Sequence, residues 1–253
     1  MAASRARHRA PSLLGEFAAV VVPVACPGCG RPDDPLCAGC TAHFAAPPAR
    51  REAGAPRLDR MTGPPLPVWS PATYTGVVQG VVVSWKDRGR ADLTGPLTSS
   101  LRATGRALGP LLAAAVPGPL RVVGMPTTPA AHRRRGADLV AGLTAAVATG
   151  LVEGGASATA GSALRRRPGR DQVGRSARDR RAVGVRLARG EDPAGRWYLL
   201  VDDVLTTGAT LATCEATLTA AGGFVVGAVV LAATPSPRDA PSAGPVPPGT
   251  DSD

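Results

Sequence analysis

Residues 197–223, WYLLVDDVLTTGATLATCEATLTAAGG, constrain the fold more than any other stretch. Positions 197–201 are apolar without alternation, which predicts a strand buried on both faces. That run ends in Asp202 and Asp203 and passes through a threonine- and glycine-containing loop. It then enters a helix closed by the glycine pair 222–223. A second unit repeats the plan: the apolar run LRVVGMP stops at Pro126, and the basic loop TTPAAHRRRG leads to a helix with Leu139, Val140, Leu143 and Val147 on one side. FVVGAVVLAAT reads as another fully buried strand, and a helical tract is expected around 94–115. Non-alternating strands interleaved with helices predict an α/β fold, a parallel sheet with helices on both faces.

In such a sheet, ligands bind outside the carboxyl ends of the strands. Asp202 and Asp203 fall at one of these ends. The helix that follows offers backbone N–H groups and the positive end of its dipole to an anion. Thr206, Thr207 and Thr210 add hydroxyls, Ala209 lies between them, and Gly208 allows close backbone approach. One end of the ligand is therefore a phosphate. The other end satisfies two carboxylates, which suits adjacent sugar hydroxyls or a hydrated Mg2+ attached to them. A ribose 5-phosphate meets both demands. An Asp helix cap beside a chance Thr-rich turn is the plainer alternative. The chain has no G-x4-G-K-[ST] and no dinucleotide glycine fingerprint, and its only lysine, Lys86, is remote in sequence from this loop. A P-loop hydrolase is thereby excluded.

Four of the five cysteines stand in CPGCGRPDDPLCAGC, as the pairs Cys26/Cys29 and Cys37/Cys40. Two C-x2-C knuckles at this spacing predict a tetrathiolate Zn2+ site, closed and structural. A pair of redox dithiols is the alternative. His43 could substitute as a ligand, but with four thiolates present it reads as a surface residue or one outside the ligand shell, and Cys214 reads as a small core residue.

The net charge of +10 is carried almost wholly by arginine. Such a balance favours phosphate-bearing partners, whether metabolites or nucleic acid, unless the arginines are only a solvated codon bias. The basic start and apolar run LLGEFAAVVVPVAC resemble a lipoprotein leader, but Glu16 and Pro23 break that pattern. Leu13, Leu14, Phe17, Val20 and Val21 recur at helical spacing and predict a short docked amphipathic helix. No apolar run reaches the about 18 residues of a membrane span, and a cytoplasmic protein is expected. The expected organisation is an N-terminal helix and zinc module over 1–45, a Pro/Arg-rich linker over 46–67, the α/β domain over 68–233 and a disordered tail over 234–253. The sequence specifies no oligomeric state.

VDDVLTTGAT resembles the phosphoribosyl-pyrophosphate (PRPP) motif of type I phosphoribosyltransferases. Together with the cysteine knuckles, the tract GMPTTPAAHRRRGAD and the arginine-rich ALRRRPGRDQVGRSARDRRAVGVRL, it resembles the ComF family, which is associated with DNA uptake in competent bacteria. The resemblance covers residues 12–233. It departs at Arg135-Gly136-Ala137-Asp138-Leu139, where the family carries R-G-x-N-Q, and at Arg181-Ala182-Val183, where an asparagine is usual.

The resemblance implies that Asp202 and Asp203 contact ribose and metal-bound water, and that Thr206, Thr207, Gly208, Ala209 and Thr210 cradle the 5-phosphate. It implies a pyrophosphate loop at Met125, Pro126, Thr127 and Thr128, with Arg134 and Arg135. A hood is implied in the tract 165–181, including Arg175 and Arg178. The implied activity is transfer of phosphoribosyl from PRPP, carried with Mg2+, to a nitrogenous base with release of pyrophosphate. The ligand alternative is a nucleoside 5-monophosphate. The alternative function is a non-catalytic competence factor that binds single-stranded DNA or a helicase partner and uses the site for sensing. Ten arginines between Arg165 and Arg189, against Asp171 and Asp179, suit either a pyrophosphate or a nucleic-acid backbone. Base stacking has little to work with, since Trp69, Tyr74 and Trp85 lie away from those arginines. Lys86 is either a point-charge contact to a phosphate or a chance survivor.

Overall fold

The computed structural model describes residues 24–60, 63–127, 138–167 and 184–236. The expected N-terminal helix lies outside these residues, as does the tail beyond Ser236.

Seven strands form the central sheet in the order β1-β2-β9-β8-β4-β5, with β3 also on β9. They are β1 (Ala49–Arg50), β2 (Val68–Ser70), β3 (Ala72–Thr73), β4 (Leu120–Gly124), β5 (Ala158–Gly161), β8 (Trp197–Leu205) and β9 (Phe224–Ala233). All pairings are parallel except β1 with β2. Pro71 separates β2 from β3 along the same edge of β9, where a residue without an N–H cannot extend the ladder. Two further strands, β6 (Leu164–Arg166) and β7 (Val185–Leu187), pair with each other as an antiparallel ribbon.

Five helices complete the described chain: α1 (Ala38–Ala42), α2 (Gly76–Asp87), α3 (Thr94–Ala115), α4 (Leu139–Glu153) and α5 (Ala209–Thr219). The unalternating pattern of β8 is explained by burial on both sides. Leu199 and Val201 join the core that holds Trp85, Leu97, Leu143 and Val147 from α2, α3 and α4. Tyr198 and Leu200 join the opposite core, with Leu211, Cys214 and Leu218 of α5. With few aromatics to fill space, α3 and α4 close the gap by direct backbone contact. A Cβ on Gly150 of α4 would lie 2.0 Å from the carbonyl oxygen of Arg102.

Three boundaries differ from expectation. Strand β8 continues to Leu205, so both aspartates lie inside it, because β9 pairs with it as far as Leu205↔Ala233. Residues 46–67, expected as a linker, contain β1 and two 3-10 turns and bury Ala55, Leu58 and Leu66 in the α5-side core. Isolated apolar residues among prolines and arginines carry no periodicity, which is why that packing was invisible in the sequence. Thr234 N donates to Leu205 O at 2.9 Å and Ser236 is buried, so the described chain is ordered three residues into the expected tail. Among the described residues no helix is long and apolar enough to cross a membrane.

The cysteine module sits on α2. A Cβ on Gly80 would meet the carbonyl oxygen of Pro27 at 2.6 Å. Just past the helix, Arg90 donates to the carbonyls of Ala25 (3.2 Å) and Pro35 (3.0 Å), while Asp92 holds its guanidinium at 2.7–3.2 Å.

Candidate functional site

The helix after β4 packs on one face of the sheet and the helix after β8 on the other. Neighbouring parallel strands whose connections leave to opposite faces open a crevice between their carboxyl ends. A cleft of about 420 Å³ lies at that point. Met125, Pro126 and Thr127 line it from the end of β4; Asp202, Asp203, Val204, Thr206 and Thr210 line it from β8 and the loop beyond. Tyr74, Val82, Val83, Lys86 and Asp87 form the α2 wall, and Arg166 of β6 also faces in.

The two aspartates are braced by backbone. Asp202 Oδ1 accepts the Asp203 N–H at 2.8 Å, and Asp203 Oδ1 accepts the Val204 N–H at 2.8 Å. Asp203 Oδ2 lies 2.6 Å from Lys86 Nζ in the last turn of α2. Remoteness in sequence does not keep Lys86 from this loop: the fold brings the only lysine onto the second aspartate, because the last turn of α2 lines the same cleft. Burial, and then the neighbouring charge of Asp203, push the Asp202 carboxyl up to about 7.

The loop begins α5 at Gly208, whose φ of 76° is left-handed and suits glycine. A Cβ there would also strike Leu58 Cγ at 2.6 Å. Arg57 N donates to Thr207 O at 3.1 Å, so the supposed linker holds this loop from behind. Thr207 Oγ1 accepts the Ala209 N–H at 3.4 Å. Of the five predicted phosphate-loop residues, Thr206 and Thr210 line the cleft, and Thr207, Gly208 and Ala209 shape the turn behind them.

Of the predicted pyrophosphate loop, Pro126 and Thr127 line the cleft; Thr128, Arg134 and Arg135 lie outside the described residues. Thr127 Oγ1 donates to Asp138 Oδ1 at 3.2 Å, and the same oxygen caps α4 by accepting the Ala141 N–H at 3.2 Å. The predicted hood residues Arg175 and Arg178 also lie outside the described residues. Arg166, at the start of that tract, donates to Pro126 O at 3.0 Å and is the arginine that reaches the cleft among the described residues. Tyr74 and Asp87 were not read from the sequence as site residues. They share α2 and its approach with Lys86, the one signal that pointed there.

A protein-held Mg2+ does not fit Asp203 as it stands. A dication needs open oxygen ligands in near-octahedral array. Here Asp203 spends one oxygen on a backbone N–H and the other on an ammonium. The same pair suits sugar hydroxyls, which add to carboxylate lone pairs without charge repulsion.

The cysteines do fit a metal. The Sγ atoms of Cys26, Cys29, Cys37 and Cys40 lie within 4.8 Å of one another. Cys26 to Cys37 is 3.8 Å and Cys29 to Cys37 is 3.5 Å. Those distances approach the about 3.8 Å tetrahedral edge of sulfurs placed about 2.3 Å from a common zinc. Burial opposes ionisation of Cys26, but backbone N–H groups of Cys37, Cys29 and Gly28, with the Cys40 thiol, bring it down to about 6. Burial and the three neighbouring cysteines push Cys40 up. Cys214 is buried in α5, as expected of a core residue, and burial pushes its thiol up to about 12.

Fold and crevice define an α/β protein with a cleft at a topological switch point and a separate tetra-cysteine cluster. A hypoxanthine phosphoribosyltransferase from Staphylococcus aureus is similar in structure, at 18% sequence identity and a TM-score of 0.34, over 56% of this chain and 67% of that one. No protein-family model matches the chain, and no curated protein does.

Proposed function

We propose that the cleft binds PRPP or a nucleoside 5-monophosphate by its ribose 5-phosphate, in the manner of type I phosphoribosyltransferases. One observation carries the reading: the paired carboxylates inside β8, near its carboxyl end, and the threonine loop at the N-terminus of α5 open into the same cleft. The 5-phosphate lies at the head of α5 against the Thr206 and Thr210 hydroxyls, where helix dipole and backbone donors favour an anion. The ribose hydroxyls face Asp202 and Asp203. Mg2+ enters as the counter-ion of the ligand's own pyrophosphate.

With PRPP bound, the supported reaction is displacement at ribose C1. The bond from C1 to the pyrophosphate oxygen breaks, its electron pair leaving with pyrophosphate. A bond forms from C1 to the nitrogen of a base, which then loses its proton to solvent or to the released pyrophosphate. The aspartates orient the sugar while positive charge develops on its ring, and Arg166 lies on the β4 side to meet negative charge on the leaving group. Zn2+ in the tetra-cysteine cluster is structural. The organisation proposed is a zinc module followed by a domain whose wall includes Ala55, Leu58 and Leu66, in a sequence pattern that resembles the ComF family.

Calorimetric titration of PRPP with Mg2+, ribose 5-phosphate and AMP into wild type and Asp202→Asn/Asp203→Asn tests this. Binding to wild type that weakens at least about tenfold in the double variant is expected, roughly the loss of one or more charge-assisted hydrogen bonds. Unchanged affinity in the variant sinks the site. No binding of any of the three to wild type turns the question to single-stranded DNA.

A further inference from the structure

We propose that Lys86 occupies the cation position at Asp203 in place of a protein-bound divalent metal. The proposal rests on the ribose 5-phosphate reading of the cleft and adds that this site needs no metal of its own.

Asp203 is 6% exposed, and a carboxylate so buried requires a counter-charge. Lys86 Nζ supplies it at 2.6 Å. The lysine is not a loose surface chain. It stands in the last turn of α2, where the negative end of the helix favours an ammonium. The preceding residue, Trp85, is buried, with Nε1 donating to Thr94 Oγ1 at 3.0 Å, and the N–H groups of Arg88 and Arg90 both close on Ser84 O at 3.2 Å. The helix end that carries Lys86 is thereby fixed.

Residue type agrees. Among 29 basic residues this is the single lysine. A guanidinium presents a planar fork that seeks two acceptors, whereas an ammonium is a compact point charge. Asp203 offers one free oxygen, since Oδ1 is taken by the Val204 N–H. A point charge suits one oxygen, and its presence repels a dication from the same carboxylate. Asp203 then meets the ribose as a braced, neutralised acceptor rather than as half of a metal site.

The test uses full-length, zinc-loaded protein in two titrations. In the first, Mn2+ alone is followed by its EPR signal in wild type, Lys86→Met, Lys86→Arg and Lys86→Met/Asp203→Asn. Only Lys86→Met should gain a Mn2+ site, and adding Asp203→Asn should abolish it. In the second, ribose 5-phosphate is titrated in metal-free buffer and in Mg2+. Wild type should bind equally in both, Lys86→Met about tenfold more weakly without metal with partial recovery in Mg2+. An Asp203-dependent Mn2+ site in wild type, no gained site in folded Lys86→Met, or ribose 5-phosphate binding by wild type that requires Mg2+ overturns the proposal. Should Lys86→Met fail to fold, the two wild-type measurements still decide it. The expected Mn2+ pattern without any ribose 5-phosphate binding would uphold Lys86 as the cation and refute the ligand reading.

Discussion

Leu58 lies where a side chain on Gly208 would have to be: a Cβ at 208 would come 2.6 Å from Leu58 Cγ and 3.0 Å from Cδ2. Gly208 is thus held for two reasons, its left-handed φ of 76° and this contact. Gly208→Ala should destabilise by about 2–4 kcal/mol, from about 1–2 kcal/mol of backbone strain plus overpacking, and should weaken ribose 5-phosphate binding. Leu58→Ala alone should cost about 2–5 kcal/mol through the cavity it leaves. The double variant should cost less than the sum, since it relieves the clash. Urea unfolding of all three supplies the cycle; strict additivity would mean the two residues do not meet.

Asp202 carries an unfavourable charge in the folded state. Its carboxyl is raised to about 7 by burial and by Asp203, above the unfolded value of 3.8. A raised pKa means the folded chain holds the proton more tightly. The stability this confers is present below the unfolded value and is lost as pH rises through about 7. Asp202→Asn should therefore flatten the fall in Tm between pH 5 and 8 and raise Tm at pH 8 by about 2–4 °C per kcal/mol recovered. It keeps the acceptor for the Asp203 N–H while weakening the ligand. A steeper pH profile in the variant would contradict the raised pKa of this carboxyl.

The cysteine cluster should hold one zinc per chain, measurable by elemental analysis. Cys37→Ser should lower that content and unfold the module, because a closed thiolate shell contributes folding free energy directly.

Gly80 links that module to the site. A side chain there would meet Pro27 O at 2.6 Å. Gly80→Val should lift the knuckle from α2 and speed zinc release to a chromogenic chelator. Since α2 also carries Lys86, ribose 5-phosphate binding should weaken in parallel. Release at the wild-type rate would show that the module does not depend on this contact.

Helices α3 and α4 approach too closely for side chains. Gly150→Ala would place a methyl 2.0 Å from Arg102 O and 2.8 Å from Arg106 N. A loss of about 3 kcal/mol or more is expected, near the upper end for overpacking. Denaturant unfolding measures it directly, and a loss below about 1 kcal/mol would mean that the helices can slide apart.

Local chemistry was legible in the amino-acid sequence. A strand, an acidic pair, a glycine turn and a helix are set by neighbours in the chain, so β8, its loop and α5 follow from residues 197–219. The cysteine cluster is local for the same reason: two C-x2-C turns a few residues apart can hardly point their sulfurs elsewhere. Non-alternating apolar runs also carried the parallel, doubly covered sheet, because burial on both faces leaves no polar positions. Tertiary structure alone decided the rest. It placed α4 and α5 on opposite faces, which opens the crevice, and it set Lys86 against Asp203. It turned Arg57 and Leu58, inside an apparent linker, into the wall behind Gly208, through the Leu58 side chain and the Arg57–Thr207 hydrogen bond. Each of these depends on how faces of distant elements meet. That is settled by the packing of the whole core, and no window of sequence contains it.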